Sequence, residues 1–434
     1  MWCAPVQIAV FIACFALPGR SQSEDGLSNK QRIARIRDLG KRKADAIPAL
    51  SAYLKDPEKD IRLEAIRAII RIGGDASLDP LVAATHDNDA DVQIRAVDGL
   101  VNAYLPGYVA QGLTGPITRG VRQVKSLMFT RNDQIIDATV NVRPDVQEAV
   151  AALVSGGSST DSRFTAARAA GILRDRAAVP ALAGSLRAHD SGLIFECLVA
   201  LQKIKPKTDL PSLSSASHDL DERTQILALE TIGILHSTSS APDVREALKN
   251  ARNIRVERAA LEALAMLSEG EDRAVFQKYT ERSDAQLRAS ALEGLGRLRE
   301  PEDYPVLERS YNEQDADWRV HLAAAFGLVD QGKLDTSDYS PLPYLVENLS
   351  MKSRTGVASA YLAELVHRED VRKALIPLVA QTSRDGKLAL CSVLGETGSD
   401  EVEPVLQSLT RDADPSVATA AARGLRILKA RQAS

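Results

Sequence analysis

The chain has few aromatic residues, few cysteines and no excess of charge of either sign. Aromatic residues make up 4% of its 434 residues, so Ala, Leu, Ile and Val must supply most of any core. Lys and Arg total 54 against 58 Asp and Glu, which excludes the global basic field that nucleic-acid binding requires. We therefore expect no nucleic-acid partner. An apolar fraction of 44% excludes wholesale disorder.

The sequence also lacks the short motifs that mark common catalytic sites. It contains no Gly-x-Ser-x-Gly, no His-Glu-x-x-His, no phosphate loop ending in Gly-Lys-Ser or Gly-Lys-Thr, and no Gly-x-Gly-x-x-Gly. Asp87, Asp89 and Asp91 imitate the start of a calcium loop, but Val92 occupies the position that requires Gly. We therefore expect no catalysis, no cofactor and no metal, although enzymes without short motifs remain an alternative.

The N-terminal segment predicts export. An apolar run from residue 6 to residue 17 is too short to span a bilayer, and the small residues Ser21 and Ser23 follow it. We interpret residues 1–23 as a signal peptide, which gives an exported chain that is periplasmic, envelope-associated or secreted. The alternative is a lipid-anchored envelope scaffold, because Phe11-Ile12-Ala13-Cys14 loosely resembles a lipobox with Cys14 as the lipidated residue.

An internal repeat of about 31 residues dominates the rest of the sequence. Each copy has an apolar or small anchor, then a cation in many copies, an Ala or other apolar residue four positions after the anchor, and a large apolar residue eight positions after it. Spacings of 4 and 8 lie on one helical face, which predicts a helix that packs on that face. The anchors are Ile61, Val92, Ser162, Leu193, Thr224, Val256, Leu287, Trp318, Ser353, Gly386 and Val417.

A second recurring feature marks another helix in each repeat. Proline stands thirteen residues before several anchors, where it suits the first turn of a helix; these residues are Pro48, Pro180, Pro211, Pro305 and Pro404. Aspartates between the two helices are predicted to cap the next helix; these are Asp56, Asp87, Asp190, Asp219, Asp315, Asp385 and Asp412. Helix pairs of this length must stack, so we predict an all-α α-solenoid of eleven pairs after an N-terminal half-repeat.

In this register Cys197 and Cys391 lie six repeats apart, about 60 Å if neighbouring helices are about 10 Å apart. A disulfide between them is excluded, and both are predicted to be buried core residues.

The consensus Pro-Ala-Leu, then Asp, then Arg-x-x-Ala-x-x-x-Leu-Gly resembles the short HEAT-like repeat that is also found in phycobilin lyases. The resemblance covers about residues 27–430 apart from one insertion. It implies a protein-interaction scaffold that binds a protein or peptide along its groove. An enzyme similar to a bilin lyase is the alternative that the resemblance leaves open.

One interval of 70 residues contains the insertion, which we call the arm. It divides the chain into a cap with two repeats at 24–105, the arm at 106–143 and nine repeats at 144–434. Part of the arm predicts a basic amphipathic helix, and its stretch Gln134 to Val142 alternates as a strand would. We expect the arm to contact a partner through Tyr104, Tyr108, Arg119, Arg122, Lys125 and Phe129. The alternative is that the arm covers the solenoid and its charges are merely solvated.

Two further charged columns recur with the repeat. Six residues after three successive anchors stand Glu230, Glu262 and Glu293, which form an acidic strip suited to a basic partner if they face the concave side. The alternative is that Glu is only a good helix former at exposed positions. Cations that follow the anchors predict a structural ladder with turn acids of the same or the adjacent repeat; these are Arg62, Arg163, Arg288, Arg319 and Lys387. The partner's identity, the binding face and the oligomeric state stay open.

Overall fold

The computed structural model describes residues 27–109, 134–137, 139–397 and 399–432. The predicted signal segment therefore lies outside the described residues. The helices of the described chain are α1 Asn29–Leu39, α2 Ile47–Ala52, α3 Lys59–Ile72, α4 Leu78–Ala84, α5 Ala90–Tyr104, α6 Pro144–Gly156, α7 Thr160–Ile172, α8 Val179–Ser185, α9 Ser191–Ile204, α10 Leu213–Ala216, α11 Glu222–Ile234, α12 Ala241–Lys249, α13 Ile254–Leu267, α14 Arg273–Tyr279, α15 Ala285–Leu298, α16 Tyr304–Asn312, α17 Trp318–Asp330, α18 Pro341–Asn348, α19 Thr355–Leu365, α20 Glu369–Val379, α21 Arg384–Gly395, α22 Glu403–Leu409 and α23 Pro415–Gln432.

The helices form two layers of an α-solenoid, as the sequence predicts. α1 is the half-repeat, the even-numbered helices from α2 to α22 are the first helices of the eleven pairs, and the odd-numbered helices from α3 to α23 are the second. Successive second helices pack mainly on one another, whereas first helices contact mainly their own second helix. The second helices are therefore closer together, which makes them the inner layer of a curved array.

The predicted columns form the core between the layers. Of the eleven residues that lie four positions after the anchors, ten are fully buried. The exception is Val357, which is 37% exposed, while the next residue, Ala358, is buried. The anchor Ser353 is therefore wrong by one residue. The reason is the longer connection that precedes α19, which changes the register at which that helix begins.

Glycines set the spacing of the inner layer. A Cβ atom on Gly296 of α15 would lie 2.4 Å from the Cα atom of Gly327 on α17. The same close approach joins Gly395 of α21 to Gly424 of α23, where the corresponding distance is 2.8 Å. Both contacts are with backbone atoms, which cannot rotate away as a side chain can. Neighbouring second helices therefore approach one another more closely than any residue with a Cβ atom would allow.

The prediction that the turn aspartates cap the second helices is only partly right. Asp190 accepts a hydrogen bond from the Leu193 amide as predicted. In other turns the cap stands two residues later, as at Asp89 and Asp221. The predicted residues Asp87 and Asp219 accept instead from the amide of that cap residue. In these turns the first aspartate therefore holds the second, and the second caps the helix; sequence spacing alone does not show which of the two is the cap.

The described ends of the arm belong to the core, and they form no strand. Ile136 and Val142 are buried, and the Ile136 amide donates to the Ile172 carbonyl at the end of α7. This is a single backbone hydrogen bond to a helix end, so the predicted alternation from Gln134 to Val142 is wrong as a sign of a strand. Ala138 lies outside the described residues.

Cys197 and Cys391 are both buried and free. Burial raises the pKa of their thiols, to about 12 and about 11. They therefore behave as core residues. Within the residues that the structure describes, no helix is both long and apolar enough to cross a bilayer.

Candidate binding surface on the inner helix layer

The predicted arm residues fall into two groups. Arg119, Arg122, Lys125 and Phe129 lie outside the described residues. Tyr108 is buried, with 6% of its surface exposed, and it packs in the core. Tyr104 at the end of α5 is half-buried, and its hydroxyl accepts a hydrogen bond from the Arg143 amide at 3.1 Å. These two tyrosines fasten the arm to the solenoid, and their contact with a partner stays a prediction.

The strip Glu230, Glu262 and Glu293 lies on α11, α13 and α15 of the inner layer. Its concave position follows from contacts that skip a repeat. The Tyr361 hydroxyl on α19 donates to Glu293 on α15 at 2.8 Å, and Arg297 of α15 pairs with Glu364 of α19. Side chains two helices apart reach each other only on the inside of a curve. Further along, Arg423 of α23 pairs with Asp137 of the arm at 3.2 Å, so the array curls back toward its first half.

The inner face carries ion pairs in the N-terminal part of the array. Glu64 on α3 is bracketed by Arg37 and Arg67 at 2.8 and 3.0 Å. Arg168 on α7 pairs with Glu196 on α9 at 2.6 Å, and both side chains are at most 10% exposed. The Arg37 pair connects the cap to α3 and the Arg168 pair connects two neighbouring second helices, whereas the Arg67 pair lies within α3. These cations and acids neutralise one another within the protein.

Glu293 continues this pattern in the C-terminal part. Its carboxylate accepts from Nε and Nη2 of Arg297 at 3.0 and 2.8 Å, in addition to the Tyr361 hydroxyl. The Arg297 guanidinium also lies 4.9 Å from the ring centroid of Phe326 on α17. Burial and the Glu293 carboxylate raise the pKa of Tyr361 well above its usual value, so the phenol remains a donor. Glu293 therefore belongs to a buried network that joins three inner helices.

Glu230 and Glu262 interrupt the pattern. Among the described residues, neither carboxylate forms an ion pair, and Glu230 is exposed while Glu262 is half-buried. Glu230 is open to solvent on one side, but the neighbouring inner helices partly desolvate its carboxylate and so raise its pKa. Burial, helped by the charges of Glu293 and Glu230, raises the pKa of Glu262 to about 7. Two acids that no described cation pairs with therefore lie on neighbouring helices of the concave face.

This raised pKa predicts how the stability of the protein depends on pH. Below about pH 4.5 Glu262 is protonated in both the folded and the unfolded protein, and above pH 7 it is ionised in both. Between these values the unfolded protein ionises first, so the free energy of unfolding falls as the pH rises. We expect Glu262→Gln to stabilise the fold by about 2 kcal/mol at pH 8 and by almost nothing at pH 4. Urea denaturation at the two pH values measures the difference.

The exposed Glu281→Gln is the control for this experiment, and we expect it to change stability by less than about 0.5 kcal/mol at either pH. An equal effect of Glu262→Gln at pH 4 and pH 8 would show that the carboxylate ionises freely in the folded protein.

The cation ladder lies at the turns, away from the concave strip. Arg62 pairs with Asp87, Arg288 with Glu313 and Lys387 with Asp412, each acid belonging to the next repeat. The remaining two differ. Arg319 pairs with Asp317 of its own turn, and Arg163 donates to the Val154 carbonyl and to the Ser185 hydroxyl. In the sequence that imitates a calcium loop, Asp87 is a ladder acid, Asp89 is a helix cap and Asp91 pairs with Lys59. The ladder is structural.

Sequence reasoning missed the partners that surround the strip. Glu64 and Glu196 stand three residues after their anchors and Arg297 stands ten after its own, so all three share the face of the strip. That spacing is the signal that could have found them. Their pairing across helices depends on the curvature of the array, which the repeat does not encode.

Comparison with known proteins supports the repeat assignment. A family profile for HEAT repeats matches residues 24–101 and 241–329, which confirms the predicted resemblance over these segments. No curated protein sequence matches this chain significantly.

Three solved structures are similar to this chain at low sequence identity. The complex of CpcE and CpcF of phycocyanin lyase from Nostoc sp. PCC7120 is 21% identical, covering 62% of this chain and 92% of that one, with a TM-score of 0.34. YibA from E. coli is 14% identical over 70% of this chain and 97% of its own, with a TM-score of 0.39. An engineered protein is 17% identical over 88% and 98%, with a TM-score of 0.36. At these values the similarity supports no statement about function.

Proposed function

We propose that this chain is an exported, non-catalytic α-solenoid scaffold that binds a basic segment of a protein or peptide on its concave face. The observation that carries the proposal is the pair Glu230 and Glu262, two carboxylates that have no cation among the described residues, on a face where the other acids described above are paired. A Lys or Arg side chain of a partner would complete the pattern. It would also remove the cost of ionising Glu262, because a nearby cation favours the charged carboxylate.

The shape of the inner layer supports the same proposal. An extended segment that lies along the second helices meets one exposed or half-buried side chain per repeat, so binding is the sum of many modest contacts. Glu230 and Glu262 would set the register of the segment, since a cation placed elsewhere finds acids that are already paired. The flanking pairs Arg168–Glu196 and Arg297–Glu293 keep those neighbouring positions neutral.

A library of random dodecapeptides displayed on phage tests this proposal. We expect residues 24–434 to select peptides rich in Lys and Arg, and the double variant Glu230→Gln/Glu262→Gln to bind them at least about tenfold more weakly. The matched control is Glu281→Gln/Glu302→Gln, which removes the same charge from exposed positions outside the inner layer. Selection of basic peptides that bind both double variants equally would contradict the proposal.

Two parts of the proposal need separate measurements. Mass spectrometry of the mature N-terminus distinguishes cleavage after Ser23 from a lipid on Cys14. An N-terminus that still carries residues 1–23 would contradict export. Deletion of residues 110–133 removes the basic part of the arm and leaves the described residues that pack in the core. If recognition lies on the concave face, this deletion leaves the selected peptides bound.

A further inference from the structure

The aromatic residues of the chain are concentrated at one place. Seven of the 18 Phe, Trp and Tyr residues fall within residues 304–361. Phe326 and Tyr361 are buried on inner helices and Tyr304 is half-buried at the start of α16, but the others meet at the turn edge between α16 and α19. We call this place the aromatic edge surface, and its residues are Tyr311, Trp318, His321, Tyr339, Tyr344 and Arg354.

Ring contacts, a hydrogen bond and a cation–π contact occur within the aromatic edge surface. The rings of Tyr311, His321 and Tyr344 meet edge to face in a triangle, with centroids 5.7 to 6.4 Å apart. The Tyr311 hydroxyl donates to the Tyr339 carbonyl at 2.7 Å. On the other side, the Arg354 guanidinium lies 5.6 Å from the Trp318 ring centroid. One surface therefore spans two turns and presents aromatic rings with a cation at one end.

Tyr339 is held away from the core at an energetic cost. Its φ is +64°, in the left-handed region that residues with a Cβ atom rarely adopt, and its side chain is 86% exposed. The loop around it is well ordered by hydrogen bonds, since the Ser340 hydroxyl bonds to the carbonyls of Asp335 and Ser337 at 2.7 and 2.6 Å. Folding gains little from this ring. A tyrosine whose backbone is already held in place loses little backbone entropy when a partner covers its ring, which is typical of a binding anchor.

The ladder changes at this surface. Arg62, Arg288 and Lys387 each pair with an acid that stands 25 residues later. Tyr344 occupies that position for Arg319, and in the corrected register Arg354 stands at the anchor and is not a ladder cation.

Arg319 instead turns to Asp317 of its own turn. Arg354 donates to the amide oxygen of Asn348 at 3.0 Å and forms no ion pair with any described residue. Burial raises the pKa of Tyr344, and the nearby Arg354 guanidinium opposes that rise.

We propose that the aromatic edge surface binds an acidic linear peptide segment of a partner protein. A carboxylate of the segment pairs with Arg354, and apolar or proline residues beside it cover Tyr339, Tyr311 and Trp318. The Arg354 guanidinium donates one hydrogen bond to a neutral amide, so its other N–H groups are available to a carboxylate. Arg354 gives this surface a cation that the concave strip lacks at Glu230 and Glu262, and the surface lies at the turn edge, so the two surfaces bind different segments.

The same dodecapeptide library tests this proposal with its own variants. We expect a class of clones that carry Asp or Glu beside apolar residues, and we expect Arg354→Gln and Tyr339→Gly each to weaken them at least tenfold. Arg411→Gln removes an equal charge at an exposed site elsewhere and leaves these clones bound. Glu230→Gln/Glu262→Gln also leaves them bound, so this surface and the concave strip succeed or fail separately.

Tyr339→Gly distinguishes recognition from a structural role. Glycine adopts the left-handed conformation freely, so this variant keeps or raises the thermal midpoint while it loses the acidic clones. A lowered midpoint, or acidic clones that bind Arg354→Gln as they bind the parent, would overturn the proposal. Sedimentation equilibrium tests another occupant. A parent dimer that becomes a monomer with Tyr339→Gly would assign the surface to a second copy of the chain.

Discussion

Arg297→Ala is expected to destabilise the C-terminal half of the inner layer by about 3–5 kcal/mol. Arg297 is 8% exposed, and it supplies the only cation that pairs with Glu293 among the described residues. Its removal leaves a carboxylate that is 7% exposed without a charge partner in a region of limited water. Hydrogen exchange at the amides of α15, α17 and α19 measures the effect locally, which matters because a long repeat array need not unfold in a single step.

Two further variants show whether that loss comes from leaving a buried charge without a partner. Lys373→Ala breaks an ion pair whose side chains are both more than 60% exposed, and we expect no measurable loss of stability from it. Arg297→Met/Glu293→Gln removes both charges and is expected to recover most of the stability, since no charge is left buried. A cost for Arg297→Ala that matches the cost for Lys373→Ala would show that the network contributes little.

Gly296→Ala is expected to cost about 1–3 kcal/mol, although alanine is the better helix former. The new methyl group would lie 2.4 Å from the Cα atom of Gly327, so α15 and α17 would have to separate. That separation also disturbs the hydrophobic contact of Phe326, which is fully buried on α17. Hydrogen exchange of both helices is again the measurement.

Gly356→Ala is the matched control for the close approach. Gly356 lies in α19, and a Cβ atom on it would have no heavy atom within 4 Å. We therefore expect no loss there and a gain of up to about 1 kcal/mol. If the two substitutions had the same sign and size, the inner helices would be free to move apart, and the glycines would not set their spacing.

The repeat made the fold predictable from the sequence. An apolar residue, Ala in seven of the eleven repeats, recurs with a second apolar residue four positions later, and such columns have one explanation, a buried helical face. The register was predictable wherever the repeat length stayed near 31 residues. It was wrong at Ser353 because the longer connection before α19 changes where the helix begins, and a lengthened turn has no periodic signal.

The candidate surfaces were harder to predict, for two physical reasons. The position of Glu230 and Glu262 on one face followed from the repeat, but their lack of cations depends on which side chains the curvature brings within reach. The cross-repeat contacts of Arg297 and Tyr361 show that dependence. Tyr339 was invisible to pattern analysis, because its exposure results from a strained backbone in a loop where the repeat is interrupted.

Calorimetric titration of a selected basic peptide in two buffers of different ionisation enthalpy tests the central claim most directly. A cation bound beside Glu262 lowers its pKa, so at pH 7 binding should release about 0.5 proton from this half-protonated group. The affinity should fall about tenfold from pH 8 to pH 5.5. Heats that do not depend on the buffer, together with an affinity that does not depend on pH, would contradict a basic partner at Glu230 and Glu262.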